Sequence, residues 1–125
     1  MKILHISGAK GWGGNEQQMI NLIPELTNLG VENVVFGVEN SQLQKECGMK
    51  NIFFVAARKN KLNKFVNYSY LKTILKGINP DLIHLHTSDS LTVFAISDLL
   101  FGLKTKTIFS KKGMGASGSF LSKLK

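Results

Sequence analysis

The sequence has few cysteines and prolines and lacks a long apolar run. Cys47 is the one cysteine among 125 residues, which excludes an internal disulfide framework and favours a reducing compartment. No neighbouring histidine or cationic pattern activates the thiol, so we interpret it as a packing residue in or near a turn. The longest apolar stretch, from Leu91 to Leu103, contains Asp98 and is too short to span a bilayer. Because no signal peptide is recognisable, the sequence predicts a soluble, cytoplasmic protein.

Acidic residues are also scarce. Eight Asp and Glu residues stand against sixteen Lys and Arg, which gives a net charge of +8. Every charged residue from Lys50 to Lys76 is basic, and only lysines follow Asp98. Such a basic surface either binds an anionic partner or simply faces solvent. The possible partners are nucleic acid, an anionic membrane and a phosphorylated substrate. Nucleic acid is disfavoured because the chain shows no aromatic stacking face, helix-turn-helix pattern or metal finger.

Strand-like and helix-like segments alternate along the chain. Apolar runs rich in Val, Ile, Leu and Phe are typical of strands covered on both faces of a parallel sheet. The predicted strands are Ile3–Ser7, Asn33–Val38, Asn51–Ala56, Leu82–Thr87 and Thr105–Ser110. Apolar residues at helical spacing predict helices over Glu16–Leu29, Ser41–Glu46 and Leu62–Leu75. A fourth helix is predicted to run to Leu100, with Ser88 or Asp89 as its cap.

Capping and breaking residues define the predicted helix ends. Ser41 is expected to cap the second helix, and Pro24 is expected to kink the first because it removes a backbone hydrogen bond. The predicted stops are Gly30, Gly48, Gly77 with Pro80, and Gly102.

This alternation predicts one α/β domain over residues 1–125, with a doubly wound, Rossmann-like parallel sheet in the strand order 3-2-1-4-5. Ligands of such sheets bind beyond the carboxyl ends of the strands, where the strand order reverses. That point lies here between the first and fourth strands. The glycine-rich loop from Gly8 to Gly14 and the segment His84-Leu85-His86-Thr87-Ser88 are expected to meet there.

The glycine-rich loop matches neither of two common nucleotide-binding motifs. Glu16 stands where the dinucleotide fingerprint needs its third glycine, and a carboxylate has the wrong sign beside a pyrophosphate. No Gly-Lys-Ser/Thr occurs, which excludes a P-loop. Gly13 and Gly14 still precede a helix whose free N–H groups favour a phosphate, with Asn15 as the expected cap. A tight turn without a ligand is the alternative.

Two short motifs occur in a recognisable order. Gly13-Gly14-Asn15-Glu16 is similar to a Gly-Gly-x-Glu motif, and Pro80-Asp81-Leu82-Ile83-His84-Leu85-His86 to a Pro-Asp-hydrophobic-Ile-His-x-His motif. In this order and at this separation they resemble the N-terminal half of a family 4 glycosyltransferase with the GT-B architecture. The resemblance covers essentially the whole chain, beginning with Lys2-Ile3-Leu4-His5-Ile6.

The resemblance implies two facing Rossmann-like domains with the active site in the cleft between them. This chain would be the acceptor-side half, and the C-terminal donor-binding domain, or a partner chain supplying it, is expected to be missing. The implied reaction transfers a sugar from a nucleotide-sugar donor to a glycan or lipid-linked acceptor, as in cell-surface polysaccharide or lipopolysaccharide synthesis. No metal or other cofactor is expected, and the sequence shows no acidic pair that could hold a metal.

The alternative is a non-catalytic remnant or partner module. A cleft with one wall cannot orient two substrates, so we expect the chain alone to be inactive.

The resemblance also assigns candidate site residues. The backbone N–H groups of the two loop glycines would meet the donor diphosphate, and His86 is the catalytic candidate that positions the acceptor or polarises the sugar. Two lysines after the fifth strand would meet donor phosphates or an anionic acceptor, unless they are simply solvated. The donor- and substrate-binding candidates are Gly13, Gly14, Asn15, Thr87, Lys111 and Lys112.

Histidines outside that assignment have a simpler interpretation. His84 and His86 share one face of a strand, but His84 and His5 are interpreted as core residues. A His-x-His zinc pair is a further alternative, although no third ligand is evident from the sequence.

The basic run Arg58-Lys59-Asn60-Lys61 is a candidate for peripheral contact with anionic lipid at the inner face of the membrane.

Overall fold

Five parallel strands alternate with four helices in the computed structural model, which describes residues 1–57, 62, 65–103 and 105–109. Their bounds are β1 Lys2–Ile6, α1 Gly14–Asn28, β2 Glu32–Val38, α2 Gln42–Met49, β3 Phe53–Ala57, α3 Phe65–Ile78, β4 Leu82–Leu85, α4 Ser88–Phe101 and β5 Lys106–Phe109. The sheet order is β3-β2-β1-β4-β5, and every pairing is parallel. The predicted α/β class and the order 3-2-1-4-5 are confirmed.

The sheet buries side chains on both faces, because helices pack on each. One face of β1 carries Leu4 and Ile6, which join a core with side chains of α3 and α4. The opposite face of the sheet packs on α1 and α2 through a smaller cluster: Met19, Ile20, Ile23, Val35, Leu43 and Cys47. Successive strand residues alternate between the faces, so His5 points to the α1 and α2 side. A polar group therefore enters a buried layer at the centre of the sheet.

Asparagine ends two helices where glycine was expected to do so. Gly48 and Gly77 lie inside α2 and α3, so these two predicted stops were wrong, although α3 does end just before Pro80. The chain turns instead at Asn51 and Asn79, which have φ values of 58° and 51°. Asparagine tolerates this left-handed conformation better than most residues, and can therefore replace glycine there. The predicted cap of α2 is confirmed, since Ser41 accepts a hydrogen bond from a first-turn N–H.

The fourth strand ends earlier than predicted. β4 stops at Leu85, and Thr87 rather than Ser88 or Asp89 is the N-cap of α4. Gly102, with a φ of 65°, ends this helix as predicted. His86 and Thr87 therefore lie just beyond the strand, at the carboxyl edge of the sheet.

Cys47 lies in the last turn of α2, next to the turn that follows it, and its predicted packing role is confirmed. The side chain is buried in the cluster shared with α1. Burial, with a smaller contribution from the charge of Glu46, raises the pKa of the thiol to about 11. The thiol therefore stays protonated near neutral pH and is a poor nucleophile.

Within the described residues, no helix has both the length and the apolar character needed to cross a membrane. The longest, α1, has 15 residues, whereas a bilayer span needs about 20.

Gly37 provides a test of the packing between the sheet and α2. A Cβ at this position would lie 3.0 and 3.1 Å from two ring carbons of Phe54 and 3.4 Å from the Leu43 side chain. We expect Gly37→Ala to lower the free energy of unfolding by about 1–3 kcal/mol, because the extra methyl overpacks the core. Urea unfolding measures the change.

The matched control is Gly48→Ala. No atom lies within 4 Å of a Cβ at Gly48, and the residue is helical, so this variant is expected to gain about 0.5–1 kcal/mol. Equal shifts of the same sign in both variants would contradict the proposed crowding.

Candidate functional site

The glycine-rich loop and the segment after β4 are joined directly by hydrogen bonds. The backbone N–H of His86 donates to the carbonyl oxygen of Ile6 at 3.0 Å. The N–H of Gly8 donates to Oγ1 of Thr87 at 2.9 Å. The two segments predicted to converge between the first and fourth strands are therefore in contact at the carboxyl edge.

The loop is anchored on both sides before it reaches α1. The carbonyl oxygen of Lys10 accepts a hydrogen bond from the N–H of Gln42 at 3.3 Å, which ties the loop to α2. The indole N–H of Trp12 donates to Oε1 of Gln17 at 3.1 Å, which ties it to α1. Gly11, between these anchors, and Gly13 and Gly14, after them, are exposed. The loop thus presents a short, largely bare stretch of backbone to the outside.

The first helix begins earlier than predicted. α1 starts at Gly14, and Gly13 is its N-cap residue, with an extended backbone at φ −158° and no side-chain cap. The predicted capping by Asn15 was therefore wrong, because that residue already lies in the first turn. A glycine cap leaves first-turn N–H groups without a capping side chain, so an anion can bind them.

The fold itself does not require glycine at the end of this loop. A Cβ on Gly14 would meet nothing within 4 Å, and one on Gly13 would lie in ordinary contact, 3.4 Å from Oε1 of Glu16. Neither residue is among those with positive φ. Packing and backbone strain therefore give no reason for these glycines, which weighs against the tight turn without a ligand. A group that approaches the backbone closely does give a reason.

Glu16 differs in exposure from the glycines that precede it. It occupies the third position of α1 and is buried, whereas Gly13 and Gly14 are exposed. A carboxylate in the first turn of a helix interacts favourably with the helix dipole. Glu16 therefore suits the start of the helix without being its cap.

Thr87 has a structural task in addition to the substrate contact predicted for it. Its Oγ1 accepts hydrogen bonds from the N–H groups of Gly8, at 2.9 Å, and Ser90, at 3.2 Å. Ser90 Oγ in turn accepts from the N–H of Thr87 at 3.0 Å, which completes a capping box for α4. The predicted substrate contact stays a prediction, and Lys111 and Lys112 lie outside the described residues.

Three imidazole rings converge on the α1 and α2 side of the sheet. His5 of β1 is paired in register with His84 of β4, and His86 follows two residues later. The ring centroids lie 5.6 Å apart for His5 and His84, 5.3 Å for His5 and His86, and 3.9 Å for His84 and His86. His5 Nδ1 is 3.1 Å from His86 Nε2, and His5 Nε2 is 2.9 Å from Asn33 Oδ1.

Burial keeps these imidazoles neutral. It lowers the pKa of His5 below the ordinary value of 6.5, an effect that the hydrogen bond to Asn33 partly offsets. Burial and then the neighbouring His5 lower the pKa of His84 to about 4. The pKa of His86 is well below 6.5, through burial first and then through His84 and His5. Near neutral pH the cluster therefore consists of uncharged donors and acceptors.

The same cluster contains the third ligand that a zinc site would need. Each imidazole offers one nitrogen, and the three nitrogens lie within 4.8 Å of one another. Tetrahedral zinc with bonds of about 2.0–2.1 Å places its ligand nitrogens about 3.3 Å apart, close to the 3.1 Å between His5 and His86. The rings of His84 and His86 stack at 3.9 Å with a tilt of 36°. However, both ring nitrogens of His5 already have hydrogen-bond partners, His86 and Asn33, so a metal would have to displace one of these contacts.

Sequence reasoning missed two members of this arrangement. His5 is buried, as predicted for a core residue, but it also contacts the candidate catalytic residue His86. Asn33, at the start of β2, is not among the predicted site residues although its side chain contacts His5. Strand register is the signal that could have revealed the cluster, since the pairing of β1 with β4 places His5 beside His84.

Comparison with known families identifies the fold around this site. Residues 12–124 match the family described as Glycosyltransferase Family 4. The chain belongs to this family. The resemblance carried by the two sequence motifs is therefore confirmed. Among curated protein sequences, none matches significantly.

Solved glycosyltransferase structures share the fold of this family 4 domain. A glycosyltransferase from Rickettsia africae superposes with a TM-score of 0.66 at 24% identity, over 86% of this chain and 28% of that one. Acinetobacter baumannii MurG gives 0.71 at 12% identity, over 98% and 39%. Anabaena HepE, solved in complex with UDP and glucose, gives 0.62 at 18% identity, over 87% and 29%.

These likenesses establish the fold as half of a GT-B architecture. The chain spans between about a quarter and two fifths of the length of these structures.

The buried histidines predict a loss of stability in mild acid. Their folded-state pKa values are lowered, so the unfolded chain binds more protons below pH 6.5 and stability falls as the pH approaches the folded pKa values. One pKa unit corresponds to about 1.4 kcal/mol, so His84 alone predicts a loss of about 2 kcal/mol between about pH 7 and pH 5. Urea unfolding at both pH values measures it. The variant His84→Gln should show a shallower slope, and an equal slope in both proteins would refute the assignment.

Zinc is expected to leave the domain unchanged. Because both nitrogens of His5 are already hydrogen-bonded, one equivalent of Zn²⁺ should not raise the melting temperature, and a chelator should not lower it. Thermal unfolding with and without the metal is the measurement. A zinc-dependent rise of several degrees that disappears in His5→Gln would show that the ring arrangement adapts to a metal.

Proposed function

We propose that this domain is the acceptor-side half of a glycosyltransferase that moves a sugar from a nucleotide-sugar donor to a glycan or lipid-linked acceptor. The observation that carries the proposal is a bare glycine loop at the start of α1, bonded directly to the segment that bears His86. Membership of family 4 supports the reaction class.

The donor diphosphate is proposed to bind at the start of α1. The helix begins at two exposed glycines that the packing does not require, and its N-terminus carries a partial positive charge. Backbone N–H groups without neighbouring side chains allow a phosphate oxygen to approach closely. The HepE structure contains UDP and glucose, which supports a nucleoside diphosphate sugar as the class of donor.

In the proposed reaction, an acceptor hydroxyl oxygen bonds to the anomeric carbon of the sugar while the bond from that carbon to the diphosphate oxygen breaks, and the hydroxyl proton passes to the departing diphosphate. Negative charge builds up on the leaving diphosphate, where N–H groups already oriented by the helix stabilise it. His86 is neutral near pH 7, so its imidazole can accept a hydrogen bond from a substrate hydroxyl. No metal takes part in these steps.

A second wall is needed to complete the cleft. The matched structures are about two and a half to three times as long as this chain, and orienting two substrates requires contacts on both sides of the reacting atoms. We therefore propose that a second nucleotide-binding domain, on this polypeptide or on a partner, faces the carboxyl edge of the sheet.

The proposed pathway and location rest on the class of acceptor and on the residues exposed at the end of α4. Synthesis of a cell-surface polysaccharide or lipopolysaccharide at the cytoplasmic face of the membrane would supply lipid-linked acceptors to a basic protein. The end of α4 exposes Leu99 and Leu100, and Lys72 lies over the ring of the neighbouring Phe101 at 4.9 Å. Apolar side chains beside a cation are suited to an anionic lipid surface. The basic run at 58–61 lies outside the described residues.

Titration with pyrophosphate tests the donor site. Sodium pyrophosphate added to ¹⁵N-labelled protein should shift the backbone amides of Gly13, Gly14 and Glu16, while sodium chloride at equal ionic strength should not. The variant Gly14→Ala should weaken binding at least threefold because a methyl group then covers the backbone. It should also gain about 0.5 kcal/mol of stability, since alanine favours a helix over glycine.

The control for this titration is Gly48→Ala, which is expected to gain stability without any change in pyrophosphate binding. Shifts confined to residues away from the loop, or an unchanged titration of Gly14→Ala, would remove the donor site and favour the non-catalytic partner module.

A further inference from the structure

We propose that Asn33 and His5 are positioning residues that hold His86 with its ring proton on Nε2 and its lone pair on Nδ1. The importance of His86 as a substrate contact rests on the proposed function. The tautomer itself follows from a chain of hydrogen bonds that runs from α1, through β2 and β1, to the end of β4.

The direction of this chain is set where it begins. The amide nitrogen of Asn33 lies 3.0 Å from the carbonyl oxygen of Val31. A carbonyl oxygen can only accept, so the group that faces it must be the NH₂ of the amide. The oxygen of the same amide, Oδ1, therefore faces His5 at 2.9 Å.

Thr27 gives an independent check of this orientation. Its hydroxyl donates to the carbonyl oxygen of Ile23 at 2.9 Å, so Oγ1 is left to accept from its other neighbour. That neighbour is the Asn33 amide nitrogen, at 3.2 Å. Two acceptors thus flank the same nitrogen, and a flipped amide would leave two oxygen pairs in repulsion.

The orientation of Asn33 fixes the proton of His5. Because Oδ1 only accepts, the His5 nitrogen that it meets, Nε2, must carry the hydrogen. A neutral imidazole has one N–H, so Nδ1 of His5 is bare and accepts a hydrogen bond.

The bare nitrogen of His5 then fixes His86. Its neighbour at 3.1 Å is His86 Nε2, which must donate for the pair to bond at that distance. In neutral His86 the second ring nitrogen, Nδ1, therefore holds the lone pair. The contact cannot form in the other tautomer, in which two lone pairs would face each other across 3.1 Å.

This tautomer selects the chemistry that His86 can recognise. A lone pair on Nδ1 accepts a hydrogen bond from a hydroxyl or an amide N–H and repels a phosphate oxygen, which has no hydrogen to donate. Within the proposed transferase, a substrate group that meets Nδ1 of His86 is thus a hydroxyl of the sugar or of the acceptor. The diphosphate is assigned to the glycine loop. His5 and Asn33 act on the substrate only through His86.

The tautomers can be read directly by nuclear magnetic resonance. The 125-residue chain, labelled with ¹⁵N-histidine, contains three imidazoles that His→Gln variants assign one by one. At pH 7.5, long-range ¹H–¹⁵N correlations should show Nε2 protonated and Nδ1 bare in both His5 and His86. A proton on Nδ1 of either residue, or on both nitrogens of His86, would overturn the proposal.

Asn33→Leu tests the origin of the constraint. Without an acceptor for its Nε2–H, His5 no longer prefers one tautomer. The fraction of His86 that carries its proton on Nε2 should then fall roughly twofold, because His5 exists in both tautomers. The matched control is Asn21→Leu, which removes an exposed asparagine that accepts a bond from Gln17 and should change neither histidine.

An unchanged His86 tautomer in folded Asn33→Leu would refute the role of Asn33. The wild-type spectrum decides the tautomer even where the variant fails to fold. Neither measurement uses a donor or an activity, so a failure here is distinct from a failure of the pyrophosphate titration.

Discussion

The parallel pairing of β1 with β4 is the constraint on which the candidate site depends. It places Ile6 beside Leu85, so the chain leaves both strands at the same edge and the segments that follow meet at once. The contact between Gly8 and Thr87 and that between His86 and Ile6 follow from this register. A slip of one residue would turn His5 and His84 to opposite faces and dissolve the histidine cluster.

The site combines two kinds of polar group that a folded domain usually avoids. Uncapped amides are exposed at the start of α1, and neutral imidazoles are buried at the carboxyl end of the sheet. His84 Nε2 is buried and has no hydrogen-bond partner in the part of the chain that the structure describes. Such a group costs about 1–3 kcal/mol, so the site is built at the expense of stability.

The fold could be predicted from the sequence because its signals are local. Runs of Val, Ile and Phe give the strands, and Ser41 and Gly102 mark helix ends. The errors are also local: asparagine replaced glycine at two left-handed turns, and helix α1 began at a glycine and not after Asn15. The histidine cluster could not be predicted in the same way, because His5 and His86 are 81 positions apart and meet only through strand register.

Asn33 is paired with Ile3 at the amino end of the sheet, whereas His86 lies beyond the carboxyl end. In open α/β sheets the carboxyl edge carries the ligand and the opposite edge is treated as scaffold. Here hydrogen bonds join the two edges. They run from Thr27 and Asn33, through the imidazole of His5, to the candidate catalytic residue His86. Replacing the Thr27–Asn33 turn is therefore not a neutral change, since it also alters which nitrogen of His86 carries the proton, beyond the opposite edge of the sheet.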